Sequence, residues 1–110
     1  MLTSTARVAA ERPTLYLRQL CEHFADERQR HSGQEFEVTF QDQEGCIDFA
    51  PVVSGRCHLD ATKGGVLVVV ASGTDQAALE RVQRIVAKHL ERFGRSDALT
   101  VEWSRHAPLP

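Results

Sequence analysis

The run Val-Leu-Val-Val-Val-Ala at residues 66–71 is the feature that most constrains the fold of this chain. It is apolar on both faces and rich in β-branched residues, which favour strands, and it is far shorter than the roughly 20 apolar residues of a membrane helix. Turn-forming residues flank it, Thr-Lys-Gly-Gly at 62–65 and Ser-Gly-Thr-Asp at 72–75. The run therefore predicts a short strand within a sheet.

Short segments on both sides of this run alternate between apolar and polar residues, which predicts strands with one buried face. The apolar members are Phe36, Val38 and Phe40; Ile47 and Phe49; Cys57 and Leu59; and Leu99, Val101 and Trp103. The residues between them are predicted to face outward, among them Glu37, Cys46, Asp48, Arg56, His58 and Asp60. Residues 3–10 alternate more weakly and are interpreted as a first strand.

Two longer segments carry apolar residues at the spacing of an amphipathic helix. The first begins near Pro13, which suits the first turn of a helix, and ends in the polar residues 26–33. The second begins with Ser72 or Thr74 as the predicted N-cap and ends at Gly94, which suits a left-handed residue. Their apolar stripes are Leu17, Leu20, Cys21 and Phe24 in the first helix, and Leu79, Val82, Ile85, Val86, Leu90 and Phe93 in the second.

The predicted order of elements is therefore β-α-β-β-β-β-α-β. Because each helix has one apolar stripe, we expect an α+β two-layer sandwich with both helices on one face of a largely antiparallel sheet. Residues 1–110 are expected to form a single domain, with 106–110 as a tail. The other sheet face is open or covered by a partner. A homodimer through this open sheet face explains the valines of residues 66–71, and a fully internal central strand explains them as well.

Charge and composition bear on the partners and the location of the protein. The net charge is −2, so we expect neither nucleic acid nor a membrane as a partner. The N-terminus lacks the basic start and apolar core of a signal peptide, which favours a cytoplasmic location.

A cationic stripe on the second helix is interpreted as solvated surface, with a site for an anion or acidic partner as the alternative. Its members are Arg81, Arg84, Lys88, Arg92 and Arg95.

The cysteines and histidines are candidate ligands, but their spacing separates the nearest pairs. Three cysteines without a Cys-x-x-Cys motif argue against a disulfide framework and against a structural zinc site. Successive helix residues turn by about 100°, so Cys21 and His23 point in nearly opposite directions. Cys57 and His58 are adjacent in a strand and face opposite sides of the sheet. Neither pair is predicted to hold one ion.

A first candidate site is interior. Cys21, Cys57 and His89 all lie on faces predicted to point inward. If they converge, they would hold a soft metal or activate a thiolate. The alternative is two cysteines packed as small apolar residues and a histidine bonded to a backbone carbonyl.

A second candidate site lies on the outer sheet face. It contains Glu37, Cys46, Asp48, His58 and Asp60. The inward residues allow a register that places Asp48 opposite both Glu37 and His58, where an imidazole or cation would relieve the repulsion between the carboxylates. This set predicts a ligand or metal patch. The alternative is a solvated face that carries a His–Asp pair.

Catalytic motifs give no support to an enzyme. The chain contains no Gly-x-Ser-x-Gly elbow, no phosphate-binding glycine loop, no Rossmann fingerprint and no His-Glu-x-x-His. A non-enzymatic role is therefore favoured, and the sequence identifies no cofactor.

Five segments in order resemble one bacterial family, domain-of-unknown-function family 2218. They are RPTLYLRQLCEHF (12–24), GCIDF (45–49), GRCHLDA (55–61), VAKHLERFG (86–94) and LTVEW (99–103). Such domains sometimes precede siderophore-interacting reductase domains in one polypeptide, so the resemblance implies an accessory role in iron or siderophore metabolism. The positions similar to the family are Cys21, His23, Phe24, Asp48, Phe49, Cys57, His89 and Phe93.

Three hypotheses follow from these observations. The favoured one is a small cytoplasmic binding or accessory module with an iron–siderophore pathway partner. The second is a thiol- or metal-dependent enzyme that uses Cys21 or Cys57 with His89. The third is a structural homodimerisation module.

Overall fold

The computed structural model describes residues 2–30, 37–50 and 53–105. Its elements are β1 (Leu2–Ala9), α1 (Pro13–Arg30), β2 (Glu37–Phe40), β3 (Glu44–Asp48), β4 (Gly55–Asp60), β5 (Val66–Gly73), α2 (Gln76–Phe93), a 3-10 turn (Arg95–Asp97) and β6 (Trp103–Arg105). The predicted α+β class and the order β-α-β-β-β-β-α-β are confirmed.

The six strands form one antiparallel sheet in the order β2-β3-β4-β5-β1-β6. The four middle strands, β2 to β5, form an antiparallel meander. β1 lies between β5 and β6 and pairs with β5 along its whole length, from Leu2 opposite Gly73 to Ala9 opposite Val66. β5 is therefore an internal strand with a partner on each side.

Both helices pack on the same face of the sheet. α1 contacts β2, β3 and β5, and α2 contacts β5, β4 and β1. The inward residues of the central strands are fully buried beneath them, among them Ile47, Cys57, Leu59, Leu67 and Val69. This arrangement is the predicted two-layer sandwich. Neither of the described helices is long and apolar enough to cross a membrane.

The start of α2 differs from the prediction. Its N-cap is Asp75, whose carboxylate accepts a hydrogen bond of 2.8 Å from the backbone N–H of Ala78. Ser72 belongs to β5, and Thr74 precedes the cap. Ser, Thr and Asp are comparable N-caps, so residue type did not separate the three positions. The prediction of Ser72 or Thr74 was wrong.

The end of α2 also differs from the prediction. Gly94 has a φ of −97°, which is not left-handed. Glycine is required there for space, because a Cβ at this position would lie 2.2 Å from Cγ of Leu99. The left-handed residue is Ala98, with a φ of 54°, four residues later. The chain thus reverses after the helix and brings Leu99 back against its last turn.

A tyrosine on α1 holds the segment that follows α2. The hydroxyl of Tyr16, which is only 3% exposed, donates a hydrogen bond to the carboxylate of Asp97. This bond, followed by burial and the negative charge of Asp97, raises the pKa of Tyr16. The contact connects the 3-10 turn to the first helix.

Two of the predicted strands are shorter than expected. Phe40, predicted to face inward, lies at the edge of the sheet and is 38% exposed, and residues 35 and 36 lie outside the described residues. β6 begins only at Trp103, so Leu99 and Val101 precede it, although Leu99 is buried. The predicted tail, 106–110, also lies outside the described residues.

Candidate functional site

Two thiols lie in the interior of the protein. Cys21 on α1 and Cys57 on β4 both have zero exposure, which confirms that both face inward. Cys21 packs against β3 so closely that a Cβ at Gly45 would lie 2.7 Å from its Sγ. The two cysteines therefore belong to the layer between the helices and the sheet.

The environment of these thiols favours the neutral form. Burial raises the pKa of Cys21 to about 12, and the charges of Cys46 and Glu22 act in the same direction. Burial likewise raises the pKa of Cys57, with further contributions from Cys21 and Cys46. A reactive thiolate needs the opposite change, because a lowered pKa supplies the nucleophile at neutral pH.

His89 lies at the contact between the two helices. Its Nδ1 is 2.7 Å from the carbonyl oxygen of Ile85. A carbonyl can only accept, so Nδ1 carries the proton and donates. The described residues contain no group of three or more His, Cys, Asp or Glu that could hold a metal ion. Cys21, Cys57 and His89 are therefore not assembled as a three-ligand centre.

An aromatic cluster surrounds His89 instead. The ring of His23 lies 4.7 Å from that of His89 and 5.6 Å from that of Phe93, measured between centroids. The ring of Phe24 lies 5.0 Å from His89 and 5.3 Å from Phe49. Sequence reasoning missed this cluster. Its only signal was that His23 and His89 lie beside or within the apolar stripes of helices that turn out to be neighbours.

The register of the outer sheet face differs from the prediction in one respect. Asp48 lies opposite Glu37, as predicted, but its other neighbour is Arg56 and not His58. The backbone N–H of Phe49 donates to the carbonyl oxygen of Gly55, at 3.0 Å, which sets this pairing. The prediction that Asp48 and His58 are paired was therefore wrong by two residues.

Arg56 supplies a positive charge beside Asp48. Its guanidinium lies 3.8 Å from the carboxylate of Asp48. A cation and not an imidazole thus pairs with Asp48. Both partners of this ion pair are substantially exposed, so it contributes little to stability.

His58 lies beside Cys46. The two residues are opposite each other on β4 and β3, and both line a shallow cavity with Phe40 at the end of β2. Burial is the main cause that raises the pKa of Cys46; Arg56 lowers it and Asp48 raises it. The pair is a neutral thiol next to an exposed imidazole.

Asp60 is the last predicted member of this face. Its Oδ1 accepts hydrogen bonds from the backbone N–H of Thr62, at 2.7 Å, and from the Thr62 hydroxyl, at 2.5 Å. These bonds lower the pKa of Asp60. The carboxylate therefore stays charged at the edge of the turn that leads to β5.

We define the open face as the side of the sheet away from the helices. The three valines that β5 places there, Val66, Val68 and Val70, are half-buried, although no helix covers them. Around them lie polar and charged side chains of the neighbouring strands. These members are Thr3, Thr5, Arg7, Glu37, Thr39, Glu44, Cys46, Asp48, Arg56, His58, Asp60 and Ser104.

The predicted cationic stripe of α2 is also on the surface. All five residues are exposed: Arg81, Arg84, Lys88 and Arg92 on the outer side of α2, and Arg95 in the 3-10 turn that follows it. These side chains are solvated, as the favoured interpretation predicts. The alternative, a site for an anion or acidic partner, stays a prediction.

Comparisons with known proteins place the chain in a family. No curated protein matches it. The NMR structure of PA4090 from Pseudomonas aeruginosa is similar to it, with 30% sequence identity over 94% of this chain and 96% of that chain and a TM-score of 0.71. The model of a family described as "Uncharacterized protein conserved in bacteria (DUF2218)" matches residues 5–104. The chain belongs to this bacterial family, as the resemblance of its sequence segments predicted.

Proposed function

We propose that this protein is a non-enzymatic binding module that recognises another protein through the open face of its sheet. One observation carries the proposal: β5 presents Val66, Val68 and Val70 to a face that neither helix covers. Strands that are apolar on both faces are typical of sheets covered on both sides. Apolar patches with a polar rim are typical of interaction surfaces.

The thiols support this proposal over the enzymatic alternative. An enzyme that uses Cys21 or Cys57 with His89 would need a stabilised thiolate in contact with solvent. Both thiols are fully buried, and burial raises the pKa of each. The bond from His89 to the Ile85 carbonyl matches the structural role expected of a histidine on an apolar stripe.

The finer expectation is a role in iron or siderophore handling, which comes from the family resemblance. Asp48 and His58 remain the candidate ligands on the open face, in adjacent rows and not opposite each other. We expect heat release when ferric siderophores or candidate metals are titrated into the purified protein. The absence of any heat, together with no metal retained after dialysis, would remove the iron version and leave protein binding unaffected.

The organisation and location expected from the sequence form part of the same proposal. We infer that residues 1–110 act as one domain and that the protein works in the cytoplasm. Cell fractionation tests the location, and a protein recovered outside the cytoplasmic fraction would contradict it.

Site-specific photo-crosslinking in bacterial cells tests the binding face. A benzophenone amino acid replaces His58, which is exposed on the open face, and in a matched control it replaces Lys88, which is exposed on the helix side. We expect defined protein adducts from position 58 and not from position 88. Equal adducts at both positions, or none at position 58, would refute a binding role for the open face. Circular dichroism confirms that both variants are folded.

A further inference from the structure

We propose that the open face binds a second copy of this chain, packed face to face about a twofold axis that runs parallel to β5. This inference rests on the proposed function, since it uses the same surface. It adds the identity of the partner and the geometry of the contact. The argument depends on the register of the sheet, on its charges and on its area.

The register arranges the open face in rows that cross β5. One row runs from His58 through Val70 to Thr5, and the next from Asp60 through Val68 to Arg7. A twofold axis along β5 places the strands on one side of β5 over the strands from its other side in the second copy. Each row keeps its position along the strand direction. Valine then lies over valine, and β4 of one copy lies over β1 of the other.

This packing makes the charges complementary. Arg7 lies over Asp60 of the second copy, and by symmetry the contact occurs twice. Within the described part of the chain, Arg7 makes no ion pair. Asp60 uses Oδ1 for Thr62, so Oδ2 is available to the guanidinium of the second copy. Glu44 lies opposite Asp60 on β3 and strengthens the negative potential that Arg7 meets.

The other twofold arrangement is less favourable. An axis perpendicular to the strands, along the His58 row, would place Asp48 of one copy over Glu44 of the other, again twice. The same axis would place Arg56 over Asp60, but Arg56 already pairs with Asp48 of its own chain. That arrangement therefore adds a repulsion and gives Arg7 no acidic partner. The parallel axis instead places the Arg56 row against Thr3, without a like charge. The parallel axis is thus the one that gives Arg7 an acidic partner.

One charge opposes the proposed packing and provides a test of it. Glu102 is exposed and precedes β6. One more residue of the pairing between β1 and β6 would set it beside Arg7 on the open side. In the dimer it would approach Glu44 of the second copy. Reversal of this charge by Glu102→Lys should therefore strengthen the dimer.

The area of the open face fits a weak dimer. Six strands at about 4.8 Å spacing span roughly 24 Å, and the eight residues of β5 span roughly 26 Å. Each copy would then bury roughly 600 Å², close to the lower limit for specific interfaces. We therefore expect a dissociation constant in the micromolar range, on the order of 1–100 μM.

Sedimentation velocity with charge-reversed variants tests the proposal. We expect the unaltered protein to dimerise in the micromolar range, and Arg7→Glu and Asp60→Arg each to raise the dissociation constant at least about tenfold. An equimolar mixture of the two variants should recover the dimer, because each introduced charge then meets its opposite. Arg81→Glu, the same charge change on α2, is the matched control and should have no effect.

A second variant keeps the test decisive if loss of the Thr62 bonds unfolds Asp60→Arg. Val70→Lys places a charge at the centre of the face, where the monomer leaves the side chain half-buried, and should also abolish the dimer. A protein that stays monomeric up to about 500 μM, several times the weakest expected constant, overturns the inference. So does a dimer that Arg7→Glu and Val70→Lys both leave unchanged.

The crosslink at position 58 separates this inference from the proposed function. An adduct with twice the mass of the chain supports the dimer. An adduct with a different protein refutes the dimer and leaves the binding module standing. No adduct refutes both.

Discussion

The thiols provide a test of the interior of the protein that needs no change in its sequence. Iodoacetamide added to the folded protein at pH 8 should modify Cys46 first. Cys46 is half-exposed on the open face, whereas Cys21 and Cys57 have zero exposure. The order of modification therefore reports which cysteines face solvent.

The expected difference in rate follows from the pKa of Cys21. With a pKa of about 12, about one Cys21 side chain in 10,000 is ionised at pH 8, compared with about one in ten for a thiol at the usual value of 9.0. The thiolate is the species that reacts, so ionisation alone slows Cys21 about a thousandfold. The requirement for local opening slows it further. Burial also raises the pKa of Cys46, but this side chain needs no opening.

Peptide mass spectrometry after timed quenching measures the three rates separately. Cys46→Ser is the matched control and should leave the folded protein almost unmodified over the same period. In 6 M guanidinium, well above the midpoint of most domains, all three cysteines should react at similar rates. Modification of Cys21 or Cys57 as fast as Cys46 in the folded state would refute the assignment of faces. It would also revive the thiol enzyme.

Three further predictions concern stability. Gly45→Ala should lower the free energy of unfolding by about 1–3 kcal/mol, because the new methyl group would lie 2.7 Å from Sγ of Cys21. Urea denaturation should show that the double variant with Cys21→Ala recovers part of this loss. If the losses of the two single variants simply add, the contact is contradicted. Asp75→Ala should lower the free energy of unfolding by about 1 kcal/mol through loss of the N-cap, and its melting temperature should fall. Thr74→Ala should leave the melting temperature nearly unchanged. Equal melting temperatures for the two variants would argue against Asp75 as the cap. The free energy of unfolding should be highest below pH 9 and fall as the pH rises towards 12, because the folded state retains the Cys21 proton that the unfolded chain loses. Tyr16, whose pKa is also raised, should add to this fall above pH 10. Urea denaturation at pH 8 and pH 10 measures the loss, which should be smaller in Cys21→Ala; an equal loss would contradict the raised pKa.

The order of elements and their inward faces were predictable from the sequence. The periods of two and of 3.6 residues are local properties, and they placed Ile47, Leu59 and Val82 in the core correctly. The helical period likewise predicted correctly that Cys21 is buried. Whether a side chain faces the core or solvent therefore follows from the pattern of its neighbours in the sequence.

The strand order and the outer register were not predictable in this way. The position of β1 between β5 and β6 depends on pairing between distant segments, for which no local pattern exists. A shift of two residues between β3 and β4 keeps every side chain on the same face. The apolar pattern therefore could not distinguish Arg56 from His58 as the partner of Asp48. The contact between His23 and His89 likewise depends on how two helices lie together.

The position of β1 has a consequence for how the protein reaches its native state during translation. β1 pairs with residues of β5 that lie roughly 60 positions later, so it leaves the ribosome long before its partners exist. β2 to β5 pair with their neighbours along the chain and can assemble earlier. Until β5 has emerged, β1 remains an unpaired segment exposed to chaperones and to other nascent chains. Completion of the sheet is therefore a late event, and it depends on β1 remaining available for pairing until β5 has been made.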